Sequence, residues 1–144
     1  MVIAGCSRRK RATEEPIPAL ELYEGGCVPQ LRHRVQAHPA LGARTRILSA
    51  EYGLITADRL VMPYDRVLTE HRAAELRPQV TEALRFDVET SGLPEAVLVG
   101  AEPVYQSLVI GALTAQNIRP CLHLVDDARD WAAFSAVLDT WGWS

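Results

Sequence analysis

Short apolar runs that alternate with helix-periodic stretches constrain this chain more than any other feature. Met1–Gly5 (MVIAG), Arg46–Ala50 (RILSA), Glu95–Ala101 (EAVLVGA) and Cys121–Val125 (CLHLV) are too short for buried helices and read as strands. Between the first two, Val28, Leu31 and Val35 recur at helical steps until His38-Pro39 interrupts them. Thr69 or Glu70 caps a long helix whose stripe of Ala73, Leu76, Val80, Ala83 and Leu84 ends at Ser91-Gly92, with Pro78 as a candidate kink. Glu102-Pro103 opens another helix, and Asp126-Asp127 reads as the cap of a last one that carries Trp131, Phe134, Leu138 and Trp141 on one face. Strands separated by helices pair in parallel through right-handed crossovers. The expectation is a single three-layer α/β domain over residues 1–144, Rossmann-like or flavodoxin-like, with a short, mostly parallel sheet of about four strands. Glu51–Asp65 has mixed signals and reads as an irregular segment closed by Pro63.

Composition removes several function classes. A net charge of −3 with a pI near 5.8 argues against coating duplex nucleic acid by phosphate neutralisation, although Arg8, Arg9, Lys10 and Arg11 keep a local nucleic-acid contact open. No apolar run approaches the ~20 residues a bilayer requires, so no membrane partner is expected. Met1–Cys6 lacks the basic start of a secretory signal, which points to the cytoplasm. The three cysteines, Cys6, Cys27 and Cys121, form no CxxC pair and read as free thiols. His33, His38, His71 and His123 have no metal-ligand spacing, and no GxGxxG or Walker sequence is present, so neither a metal nor a cofactor is expected. Trp143, if exposed, would mark a homodimer contact.

Ligands of open α/β sheets bind outside the carboxyl ends of the strands, near the point where strand order reverses. That rule gathers Cys6, Ser7, Arg8, Arg9 and Lys10 after the first strand, Ser49, Glu51, Tyr52 and Gly53 after the second, and Gly100-Ala101 after the third, with Tyr105 a further phenol that either packs on the protein or meets a ligand. Pro63-Tyr64-Asp65 could line the same cleft. Lys10 is the only lysine among fifteen basic residues. Alongside cationic neighbours it could grip a phosphate or stabilise a thiolate at Cys6. Glu51 and Asp65 form a carboxylate pair suited to divided acid and base roles. Tyr64 could stack on a base.

The motifs Cys6-Ser7-Arg8-Arg9-Lys10, Leu22-Tyr23, Ile47–Leu54 and Pro63-Tyr64-Asp65, in that order, resemble the small YaaA-related domains of bacterial proteins. Their pattern reads C-S-x-x-K, L-Y, I-L-S-A-x-x-G-L and P-Y-D. Similar elements occur in proteins of 7-deazaguanine and archaeosine modification. The resemblance spans about Val2 to Leu68, and it implies nucleobase, nucleoside or nucleic-acid chemistry with a site of Cys6, Ser7, Lys10, Ser49, Gly53, Tyr64 and Asp65. This chain departs from the pattern at Glu51-Tyr52.

The leading expectation is an enzyme acting on a nucleobase-containing small molecule, cleaving or exchanging an N-glycosidic bond through Asp65 and Glu51. Lys10, Ser7, Arg8 and Arg9 would hold a phosphate or hydroxyl. The alternatives are a non-catalytic nucleic-acid-binding or protective module, and a cysteine-dependent hydrolase or transferase that attacks through Cys6.

Overall fold

The first apolar run becomes strand β1 (Val2–Gly5), buried along its whole length because it occupies the middle of a sheet with helices on both faces. The computed structural model describes residues 1–144. Strand β1 pairs in parallel with β3 (Thr45–Ser49) on one side and β6 (Ala96–Gly100) on the other. Strand β7 (Cys121–Val125) pairs in parallel with β6. These are the four expected strands.

A fifth, β4 (Gly53–Thr56), runs antiparallel to β3 and completes the order β4-β3-β1-β6-β7. It lies inside the segment whose sequence reads as irregular, which is therefore partly a hairpin. Gly53 enters the strand at φ +77, a left-handed conformation that β-branched and bulky residues avoid. The same segment supplies β5 (Leu60–Val61), which pairs with β2 (Ile17–Pro18) in a small antiparallel ribbon.

The helices are α1 (Ala19–Leu22), α2 (Val28–Ala37), α3 (Pro39–Ala43), α4 (Glu70–Ser91), α5 (Pro103–Ala115) and α6 (Trp131–Thr140). Successive strand residues face opposite ways, so the sheet builds two cores. Val2, Ala4, Ile47 and Leu98 pack with Val28 and Leu31 of α2 and Phe134 and Leu138 of α6. Ile3, Leu48, Val97 and Val99 pack with Leu76, Val80 and Leu84 of α4 and Leu108 and Val109 of α5. Two polar fasteners hold α4. The Thr69 hydroxyl caps it by accepting from the Arg72 N–H, and Arg46 of β3 donates twice to the Asp87 carboxylate, at 3.0 and 2.9 Å.

The cap of α6 differs from the sequence reading. Asp130, not Asp126-Asp127, accepts from the Ala133 N–H. Asp127 instead accepts from Arg129, and Asp126 accepts from the Gln106 amide. Trp143 is half-buried, edge-on to His38. No helix is long and apolar enough to cross a membrane.

From β1 the chain proceeds first to β3, then returns across the sheet to β6 and β7. Strand order therefore reverses between β1 and β6. The carboxyl ends of those two strands flank the crevice that such a reversal opens.

Candidate functional site

At this reversal a crevice of about 620 Å³ opens, within the range of small-molecule sites. It is lined by Cys6, Ser7, Arg8 and Lys10 from the loop after β1, with Asp65, Arg66 and Val67, and by Ala101, Glu102 and Tyr105 after β6 and Asp126–Arg129 after β7. At its floor Gly5 lets β1 and β6 close up: a Cβ there would stand 2.9 Å from that of Ala101.

The loop that bears Lys10 is pinned. Lys10 bridges Tyr23 in a short antiparallel contact, flanked by backbone bonds from Arg11 to Leu22 and from Glu24 to Arg9. The C-S-x-x-K and L-Y motifs thus fold together. Ser7 accepts from the Gly25 N–H and donates to the Arg9 carbonyl, so its hydroxyl proton is already used.

Behind this loop runs a chain of hydroxyls. Ser49, fully buried, accepts from the Glu51 and Tyr52 N–H groups, which leaves its own proton for the Tyr64 hydroxyl at 2.8 Å. Tyr64 in turn shares a hydrogen bond with the Tyr23 hydroxyl at 2.9 Å. Burial, then the Cys6 charge, pushes the Tyr64 phenol far above the usual phenol range. Burial also pushes Tyr23 up to about 12. Both phenols stay neutral donors at any physiological pH.

The Lys10 ammonium stands 4.3 Å from the centre of the Tyr64 ring and donates to the Arg8 carbonyl. Desolvation lowers its pKa, while Cys6 and Asp65 act in the opposite sense. The Cys6 sulfur is 3.2 Å from the Tyr105 hydroxyl. Burial, with Cys6 next, raises Tyr105 strongly, so a thiolate formed at Cys6 would receive the Tyr105 proton as a hydrogen bond. Thiol, amine, carboxylate and phenol thus share one neighbourhood.

Other expected residues are placed elsewhere. Glu51 pairs with Arg66 at 3.3 Å and does not line the crevice. It is not the second carboxylate of a pair with Asp65 there. Tyr64 is spoken for: its hydroxyl is bonded twice, Lys10 covers its face, and Tyr52 meets it edge to face at 5.6 Å. That leaves it supporting Lys10 rather than stacking on a base. Ser49 and Tyr52 also stand outside the lining, Tyr52 holding the Met62 backbone. Gly53 makes room for Gln79, and Gly100 for the Phe134 ring, which would be 2.4 Å from an added Cβ. Arg9 points away to the Glu24 carbonyl.

The groups missed from sequence are Arg66, Glu102, Asp126, Asp127 and Arg129. The strand-end rule, applied to the fourth strand as it was to the first, reaches the aspartates. Their suitability as caps hid them. No group of three or more His, Cys, Asp or Glu side chains is arranged to hold a metal ion.

Residues 1–122 match the profile of a family of unknown function, DUF6884. That span includes every strand-end residue of the crevice up to Tyr105 and stops within β7. No curated protein and no solved structure matches the chain.

Proposed function

The chain belongs to the DUF6884 family, a family of unknown function, and for it we propose hydrolase or transferase chemistry on a small nucleobase-containing substrate, a nucleoside or nucleotide. The observation that carries this reading is the convergence of Cys6, Lys10, Asp65 and Tyr105 on one ligand-sized crevice where strand order reverses. The bond broken is the N-glycosidic bond. Asp65 takes a proton from water as its oxygen adds to the anomeric carbon and stabilises the developing sugar cation. Glu102, which also lines the crevice, replaces Glu51 as the acid that protonates the departing base. Arg8 has no carboxylate partner of its own and supplies a cation for a phosphate, with Lys10 beside it.

A small ligand suits the charge distribution better than a nucleic-acid strand. Within the basic run Arg11 is paired with Glu21 and Glu24, and the Arg9 guanidinium is turned to the Glu24 backbone carbonyl, so the run does not present four free cations in one row. Glu102, Asp126 and Asp127 in the same lining would repel a phosphate backbone. Three free thiols fit a reducing compartment, the cytoplasm.

The test is release of free base from a nucleoside and nucleotide panel, followed by chromatography. Asp65→Asn should lose turnover by about 100-fold or more, in line with loss of a general acid or base. Glu51→Gln should retain it. Full turnover in Asp65→Asn, or no base from any member of the panel, overturns the reading.

A second reading rests on the 3.2 Å contact between Cys6 and Tyr105. Here the Cys6 thiolate adds to the nitrile carbon of a modified base, one C–N π bond opening as the C–S bond forms and the nitrogen taking a proton from the Lys10 ammonium to leave a covalent thioimidate, with Tyr105 holding the sulfur in line. Intact-protein mass spectrometry would then show an adduct that is absent in Cys6→Ser. An unmodified chain and an active Cys6→Ser variant dismiss it.

A further inference from the structure

The two edges of the sheet are treated differently. On β4 the outward N–H and C=O of Leu54 are both taken by the side-chain amide of Gln79, at 2.9 and 3.0 Å. Asp58 and Arg59 follow this strand, so the edge is closed and charged. The β7 edge has no such protection. Cys121 donates to Glu95 and Val125 accepts from Ala101, which fixes the phase of the parallel ladder. Residues 121, 123 and 125 bond to β6, and the main-chain groups of Leu122 and Leu124 point outward.

The side chains of those two leucines are also uncovered. They share register with Val97 and Val99, on the α5 side of the sheet, yet are 37% and 43% exposed. Helix α6 packs on β7 from the other face, whereas α5 lies along α4. Neither β7 nor α5 contains one Asp, Glu, Lys or Arg, in a chain that is 23% charged.

We propose that the chain forms a two-fold homodimer through the β7 edge, with two copies joined antiparallel about His123 into one continuous sheet. The occupant follows from self-complementarity. Placing the axis at His123 sets Leu122 of each copy opposite Leu124 of the other, so that each outward N–H meets an outward carbonyl. Four main-chain hydrogen bonds form and four leucines cluster between two uncharged α5 helices. No like charges are opposed anywhere along the seam. A partner of either charge would find no complement there.

Sedimentation equilibrium of the full chain tests this. A dimer is expected. Leu124→Glu should be monomeric with an unchanged circular dichroism spectrum, while Leu93→Glu, at a residue 70% exposed elsewhere, should remain dimeric. The register is tested separately in a Cys121→Ser, His123→Cys chain treated with diamide as oxidant. Residues facing across such an axis have Cα atoms about 4.5 Å apart in a non-hydrogen-bonded pair, within reach of a disulfide. A covalent dimer is expected. A monomer up to about 1 mM, which allows less than ~4 kcal/mol of association, overturns the proposal. So does a dimer that survives Leu124→Glu, or one that does not cross-link at residue 123.

Discussion

The Tyr64 hydroxyl accepts from Ser49 and shares a second hydrogen bond with Tyr23, and neither partner has a route to water, since both are fully buried. Removing it in Tyr64→Phe keeps the ring under Lys10 but takes away the hydrogen-bond partner of two buried hydroxyls. The expected cost is about 1–3 kcal/mol of unfolding free energy, read as a lower urea midpoint. A variant as stable as the parent would mean the hydroxyl chain is not built as described. Titration adds a second expectation. Burial, with Asp130 and Asp127 after it, pushes the Cys27 thiol up to about 11. The folded state holds that proton more tightly than the unfolded chain. Its contribution to stability is therefore complete below the ordinary thiol range and is lost as pH rises through about 11. Urea midpoints at pH 8 and pH 11 should fall for the native chain and fall less for Cys27→Ala. Equal falls would assign the loss to other groups.

Between elements, the Arg46–Asp87 pair fastens α4 to β3 where both side chains are nearly out of water, at 12% and 10% exposure. Asp87→Ala strands a guanidinium against the sheet and should cost about 3–5 kcal/mol, whereas replacing both residues by Met and Leu should cost far less. A double-mutant cycle by chemical denaturation reads the difference, and additive losses would mean the charges do not couple. This is also the scale at which the sequence was most and least legible. Strands β1, β3 and β6 announce themselves because burial on both faces demands near-continuous apolar runs, and β7 carries a similar run although its leucines are uncovered at the sheet edge. Strand β4 does not: it offers only Leu54 and Ile55 as an apolar pair, and its outer edge is closed by Gln79, twenty-five residues away. The cap of α6 fails for a different reason. Asp126, Asp127 and Asp130 are all good caps, and only their spacing to Ala133 in the folded chain selects the last. At the site, Cys6 and Lys10 follow from the strand-end rule and Asp65 from the Pro-Tyr-Asp motif, but neither signal says which side of the loop a side chain takes. Glu51 and Tyr64 belong to the right segments and are nonetheless engaged by Arg66, Ser49 and Tyr23.

Across the whole molecule, the crevice is lined by parts of the chain far apart in sequence: the ends of β1, β6 and β7 and the stretch at Asp65–Val67. A ligand that touches all of them binds the folded state and cannot bind the unfolded one, so occupancy must raise stability by RT ln(1 + [L]/Kd). At about a hundred times Kd this amounts to roughly 2.7 kcal/mol, and for a domain of this size the melting temperature should rise by roughly 5–11 °C. The nucleosides and nucleotides that release base should be the ones that produce the shift. Arg8→Ala should weaken the shift for nucleotides more than for nucleosides, because it removes the cation assigned to phosphate. Leu124→Glu should leave the ligand shift intact while abolishing any dependence of the melting temperature on protein concentration, which separates occupancy of the crevice from association through β7. A shift that is insensitive to Arg8→Ala, or one produced equally by inorganic phosphate alone, would move the phosphate grip away from Arg8 and leave Lys10 and Asp65 to be tested against uncharged substrates.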